Sequence, residues 1–182
     1  MNDCSDESLV LAAQSADKNA YAVLVRRHYK QVFLQCLGIL GNIHDAEDVA
    51  QDAMLKGFER IKMLRDSSRF GQWIAVIAKN LCINTVRRRK SADKVMQIKS
   101  REPAESTTLL SLSKSNDGGN LQWAIAKLPQ EMRLPLVMYY FDGKSVTSVA
   151  EKLGLSPSGV YLKLRTAVKQ LHEILVSHGE LI

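Results

Sequence analysis

Apolar side chains in the first third of the chain return every three or four positions, not every two. Tyr21, Leu24, Val25, His28, Val32 and Cys36 form one such series, which is the spacing of a single face on a helix of about 3.6 residues per turn. Asp17 stands where an N-cap is needed, and the pair Gly41 and Asn42 ends the series. A second stripe follows at Ala46, Val49, Ala50, Ala53, Met54, Gly57, Phe58 and Ile61. A third, Phe70, Trp73, Ile74, Ile77 and Leu81, runs on into Arg87, Arg88, Arg89 and Lys90. Strand-like alternation is absent from the sequence, so the pattern predicts an all-α protein.

The last third carries sharper punctuation. Leu121, Ala124, Ile125 and Leu128 predict a short helix, ended by Pro129, which also opens the next helix at its first position. That next helix carries Leu134, Val137, Met138 and Phe141 inward and stops near Asp142 and Gly143. Ser145 caps a third, with Val146, Val149, Ala150 and Leu153 inward, and Gly154 supplies a left-handed C-terminal turn. Ser156 and Pro157 are an N-cap and a first helical residue, and Val160, Leu164, Ala167, Leu171 and Leu175 are the buried stripe behind them. A short helix, a glycine turn and a capped helix with exposed bases make a helix-turn-helix. An αα-hairpin with no DNA role fits that pattern too. Between the halves, residues 100–120 hold five Ser, two Thr, two Gly and one Pro, which is linker chemistry. The predicted organisation is two small helical domains, 1–99 and 120–182, joined by a flexible linker over 100–119.

Composition narrows the class. In 182 residues, 46% hydrophobic and 24% charged, there is too much apolar and too little repetitive content for a disordered or collagen-like chain. Cys4, Cys36 and Cys82 are odd in number and include no CxxC pair, so they read as reduced thiols. The acidic start of the chain lacks the basic segment of a signal peptide, and no apolar run approaches the ~20 residues of a membrane span. A soluble, cytoplasmic protein without membrane insertion is expected. The formal charge of +6 is unevenly placed. Residues 45–59 hold five acids and one base, residues 79–101 eight bases and one acid, and residues 155–172 three bases and no acid. A single run of this kind is often just a solvated helix face. Two basic runs beside an acidic helix ask for more than one partner.

No phosphate-binding loop, dinucleotide fingerprint, HExxH or GxSxG occurs in the sequence, so neither a catalytic residue nor a cofactor is predicted. His28, Cys36 and His44 are spaced by eight, which turns them off a common helix face, and no metal site is expected. Asp45, Asp48 and Asp52 do share a face at the start of a helix, where the dipole favours acids; a protein-docking surface is the better functional reading. With Phe70, Trp73, Ile77 and Leu81 inward, Asn80, Ile83 and Arg87 fall on one flank. An amide beside a basic cluster suits unpaired nucleic acid, whose base edges are accessible. Trp73 itself reads as core.

The ordered segments resemble the extracytoplasmic-function (ECF, group IV) sigma factors of bacterial RNA polymerase. The resemblance is carried by Asp45, Ala46, Glu47, Asp48, Val49, Ala50, Gln51 and Asp52. It continues through Phe70, Gly71, Gln72, Trp73 and Ile74, then through Ile77 to Leu81 and the Arg87–Lys90 cluster. In the C-terminal half Leu128, Pro129, Gly143, Ser145, Val149, Ala150, Leu153, Gly154, Ser156, Gly159 and Val160 complete it. It implies an N-terminal region 2 that docks on the β′ coiled coil of core polymerase through Asp45, Asp48, Gln51 and Asp52. The same region would take the melted −10 element on Lys79, Asn80, Asn84, Arg87, Arg88, Arg89 and Lys90. It also implies a C-terminal region 4 that meets the β flap and reads the −35 element with Ser156, Ser158, Lys163, Arg165 and Lys169. Promoter DNA and an anti-sigma factor are the further partners implied. The chain departs from the family at Ser148, where an acid is common, and at Asn84, where Asp is frequent. Its recognition helix reads Ser158, Gly159, Val160, Tyr161, Leu162 and Lys163 in place of the usual G-T-V-K-S-R, and Val168 replaces a common base. A helix-turn-helix repressor with a helical sensor domain is the rival reading, and a helical enzyme or metal protein a more distant one.

Overall fold

In the computed structural model of the chain, which describes residues 4–97 and 118–177, every regular element is helical. The α-helices among the described residues are α1 (Asp6–Gln14), α2 (Lys18–Leu40), α3 (Ile43–Arg60), α4 (Phe70–Gln97), α5 (Gly118–Lys127), α6 (Gln130–Tyr140), α7 (Val146–Leu153) and α8 (Pro157–Ser177). Short side chains start them by satisfying the first orphan N–H groups. Asp17 accepts from the amides of Asn19 and Ala20 at 2.8 and 3.2 Å, Asn42 from Asp45 at 3.1 Å, Ser145 from Ser148 at 3.3 Å and Ser156 from Gly159 at 3.1 Å. Gly41 and Gly154 close α2 and α7 at φ +73° and +66°, in the left-handed region that side chains resist.

Helix α2 is the spine. Helices α1, α3 and α4 pack around it to form an N-terminal bundle, whereas α5 to α8 pack on one another around α8 and α6. The two regions meet where α5 and α6 lean on α2. Arg133 of α6 is the one charged residue classed as buried among those described, at 6% exposure. Its Nε donates to the Gly38 carbonyl at 3.1 Å, and one terminal nitrogen donates to the carbonyls of Ala126 and Leu128 at 3.1 and 2.7 Å. The acceptors lie at the C-terminal ends of α2 and α5, where carbonyls lack helical partners and the dipole is negative. The guanidinium therefore serves two helix ends at once. A Cβ on Gly41 would run into it, and one on Gly38 would meet Val137 at 3.4 Å. The glycines leave the room this contact needs.

Several inward faces differ from the sequence prediction. In α4 the buried row is Phe70, Ile74, Ala78 and Cys82, with Trp73, Ile77 and Leu81 half-buried at its edge. A strict step of four tracks the line where α4 crosses both α2 and α3. In α6 the buried residues are Arg133, Pro135, Leu136 and Val137, while Leu134, Met138 and Phe141 are half-buried. That helix is covered on two sides, by α8 and by α2, so it has no single stripe. Pro129 is the N-cap of α6, one position earlier than predicted. Leu121 and Phe58 lie at the surface. Helix α1, which the sequence reading passed over, is capped by Ser5 and buries Leu9, Val10 and Ala13. The predicted linker lies, apart from its last two residues, outside the described residues.

Candidate nucleic-acid interface

Three helices expose the predicted site residues on separate surfaces. On α3, the core row Ala46, Val49, Ala50, Ala53 and Gly57 leaves Asp48, Gln51 and Asp52 together in solvent. Asp45 is not with them: it is half-buried and ion-paired with Arg89 of α4. One predicted docking acid and one predicted DNA-binding arginine thus engage each other. Sequence reasoning missed Leu55, which continues the acidic strip one turn on and is 64% exposed. It borders a groove of about 720 Å³ between α2 and α3, floored by Tyr21, Val25, Tyr29, Met54 and Phe58. An apolar residue on the polar face of α3 was the available signal. Burial pushes the Tyr29 phenol up, against a hydrogen bond with Gln51, so it stays protonated at the groove wall.

On α4, Lys79, Asn80, Asn84, Arg87 and Arg88 are all exposed. The row opposite the buried face is Val76, Asn80, Ile83 and Arg87, spaced i, i+4, i+7 and i+11. Val76, 56% exposed, gives that row an apolar end which the sequence reading did not single out. Past Cys82, the last buried position of α4 among the described side chains, Arg87 and Arg88 stand in solvent. Arg89 bends back to Asp45, and the Lys90 side chain lies outside those described. Trp73, half-buried, packs on Phe70 with ring centroids 6.0 Å apart, at the edge of the core.

On α8, Ser158, Leu162, Arg165 and Lys169 share the strip opposite Val160, Leu164, Ala167 and Leu171, with Tyr161 exposed on its flank and Ser156 at its head. Lys163 lies off this strip, half-buried toward α6, with its Nζ 3.3 Å from Glu131. Lys169 reaches Glu173 one turn on at 3.7 Å, an exposed pair worth little. Glycine 154 and the Ser156 cap set the angle at which α8 leaves α7.

Other chemistry is absent from these surfaces. His28 hydrogen-bonds Asp6 at 2.6 Å, and His44 is exposed. Cys36 and Cys82, remote in sequence, are buried side by side between α2 and α4. The hydrogen bond with Cys82, together with burial, pushes the Cys36 thiol up, which leaves it inert as a nucleophile. Among the described residues no cluster of three or more His, Cys, Asp or Glu could hold a metal, and no helix is long and apolar enough to cross a membrane.

These surfaces coincide with recognised regions. Residues 24–92 match Sigma-70 region 2 and residues 119–171 match Sigma-70, region 4, together about two thirds of the chain. The chain is 26% identical over 175 residues to the ECF RNA polymerase sigma factor SigW of Bacillus subtilis, covering 89% of this chain and 92% of that protein. It is 29% identical over 159 residues to the ECF RNA polymerase sigma factor SigE of Mycolicibacterium smegmatis, covering 86% of this chain and 62% of that protein. Among solved structures, the sigma factor RpoE of Bartonella quintana, crystallised with the anti-sigma factor NepR, has the same fold. Its TM-score is 0.53 at 17% identity, over 85% of this chain and 96% of that one. Two sigma regions in the family's order, on the helices whose exposed faces carry the acidic and basic strips, make this chain a member of the ECF RNA polymerase sigma factors.

Proposed function

We propose that this sigma factor divides its work among the three exposed strips. Asp48, Gln51, Asp52 and Leu55 of α3 dock core polymerase, with the β′ coiled coil as the basic partner and Asp45 supporting through Arg89. The Asn80 row of α4 receives the melted −10 strand: the Asn80 amide meets a base edge, and Lys79, Asn84, Arg87 and Arg88 hold the backbone. The strip of α8 enters the major groove at −35, with Ser156, Ser158, Arg165 and Lys169 as polar contacts and Lys163 at its edge. Region 4 meets the β flap. The protein acts in the cytoplasm as a specificity subunit with no chemistry of its own. An anti-sigma partner belongs to this proposal by analogy with the structural relative, which was crystallised with one. The observation that carries the reading is the separation of sign: an acidic strip on one helix and strips carrying bases but no acid on two others. Opposite charges placed apart steer a protein partner and DNA to different faces.

Promoter-specific run-off transcription by core polymerase, with and without the chain, tests this directly. Asp48→Lys combined with Asp52→Lys is expected to weaken core binding by at least tenfold, since it turns attraction to a basic partner into repulsion; unchanged binding removes the docking assignment. Asn80→Ala is expected to leave core binding intact while slowing open-complex formation, read by permanganate reactivity of the unpaired thymines. Normal melting in that variant would move the −10 contact elsewhere. A repressor would bind DNA without core and fail to support run-off.

A further inference from the structure

The strip on α8 contains two large apolar side chains that nothing in the described chain covers. Tyr161 is 61% exposed and Leu162 is 66% exposed. Isolated surface apolars are ordinary. They lie in the first two turns of the second helix of a helix-turn-helix, on either side of the line through Ser158 and Arg165. Helix residues near that end are the ones that reach base edges once the helix lies in the major groove.

We infer that Tyr161 and Leu162 are specificity-determining residues that read thymine methyl groups in the upstream promoter element. The inference rests on α8 being the −35 reader. In the major groove the C5-methyl of thymine is the one apolar group on a base edge; the other groups there are hydrogen-bond donors and acceptors. Leu162 has no hydrogen bond to offer. Opposite a guanine or cytosine edge it strips water from polar groups and returns nothing, which penalises the pair. Opposite a thymine methyl it buries carbon on carbon. The Tyr161 ring does the same over a wider area. The polar neighbours on the strip, Ser158, Arg165 and Lys169, hold phosphates and acceptor edges, so the apolar pair contributes discrimination and the bases contribute affinity. DNA is favoured over a protein partner because no acid occurs between residues 155 and 172, while Arg165 and Lys169 border the apolar pair.

The test uses holoenzyme assembled from core polymerase and the full chain. Transcribed templates are selected from duplexes with a randomised upstream element. The selected element is then rebuilt with deoxyuridine replacing thymine one position at a time, which removes only the methyl. The wild type is expected to lose about fourfold in promoter occupancy per methyl read, the factor equivalent to ~0.8 kcal/mol per buried carbon. Leu162→Ala and Tyr161→Ala should each bind the thymine template less well and no longer distinguish uracil at the position that side chain reads. Tyr161→Phe should restore the distinction. Indifference of the wild type to uracil at every position overturns the inference, as does unchanged uracil sensitivity in both alanine variants. So does a loss of core binding in Leu162→Ala, which would assign the pair to a protein partner. Arg165→Ala separates the two levels. If it abolishes dependence on the upstream element while uracil is neutral, α8 remains the reader and only the apolar readout fails; if dependence survives, both fail.

Discussion

The two helical regions keep their buried polar groups satisfied in different ways. In the N-terminal bundle the work is spread out. Tyr21 donates to the Met54 carbonyl at 2.6 Å, and Gln14 donates to the carbonyls of Ile61 and Leu64 at 3.0 and 2.8 Å. Gly57 lets α3 approach α2 and α4 closely. Where α5 and α6 lean on α2, the buried polar contact is instead one guanidinium, Arg133, whose three acceptors come from both regions. Cohesion is distributed in the first and concentrated at the joint of the second.

The comparison breaks most visibly at Arg133. Burial disfavours its charge, and the charge persists because two helix C-termini surround it. Arg133→Ala strands the carbonyls of Gly38, Ala126 and Leu128 and leaves a void beside Gly41. The expected cost is about 3 kcal/mol, on the scale of lost charged hydrogen bonds and uncompensated buried acceptors. Urea unfolding measures it, and the loss should fall on the C-terminal helices and the end of α2, visible in amide exchange. Arg133→Lys should recover only part, because an ammonium cannot fork to separated carbonyls as a guanidinium does. A variant as stable as the wild type would mean that the joint is held by apolar packing alone.

Gly57→Ala tests the distributed side and is expected to cost less, about 1–3 kcal/mol. In an exposed helix interior the exchange would stabilise by about 1 kcal/mol. Here the new Cβ would stand 2.5 Å from Ile74 Cδ1 and 2.6 Å from the Tyr21 hydroxyl. Tyr21 cannot give way freely, since its hydroxyl is bound to Met54. The sign of the measured change in urea midpoint decides whether close approach or helix propensity governs α3. Tyr21→Phe combined with Gly57→Ala sharpens this, because removing the hydroxyl should recover part of the loss.

Elements with one buried face were legible in the sequence, and those with two were not. Helices α3 and α8 each cover the core with one stripe, so their periodicity, most of their buried row and the Ser156 cap could be read in advance, whereas Phe58, expected inward, lies at the surface and Asp45 and Lys163, expected exposed, are half-buried. Helix α6 is sandwiched, and its key residue is a charged one that no hydrophobic pattern marks as buried. The candidate site was legible as types of residue on named helices. Its finer grouping depended on partners remote in sequence, as in the pairing of Asp45 with Arg89 and of Lys163 with Glu131. The apolar pair Tyr161 and Leu162 was readable as a departure from pattern, but its exposure required the fold. Helix α1 was passed over although it is one residue longer than α7; its buried row is only Leu9, Val10 and Ala13, without the cap, glycine and proline punctuation that framed α7.

Helix α1 also supplies the smallest expected effect, and it closes the comparison on the distributed side. Asp6 accepts from Arg27 at 2.8 Å through Oδ1 and meets His28 at 2.6 Å through Oδ2. Burial raises its pKa, and the bonds from Arg27 and His28 outweigh that, leaving the carboxyl below its ordinary value of 3.8. A carboxyl depressed in the folded state favours folding while it is ionised. Its contribution is therefore present above the ordinary carboxyl value and is lost as pH falls through that value toward the folded one. Asp6 is about a third exposed, so water screens the pair and the effect stays below about 1 kcal/mol. Urea midpoints of the wild type and Asp6→Asn, followed from about pH 6 to about pH 3, isolate it from the other carboxylates. The wild-type advantage should hold steady down to about pH 5 and shrink below. Parallel curves across that window would show that the polar clip from Asp6 to α2 contributes nothing to the bundle, and that α1 is held by Leu9, Val10, Ala13 and the Gln14 hydrogen bonds.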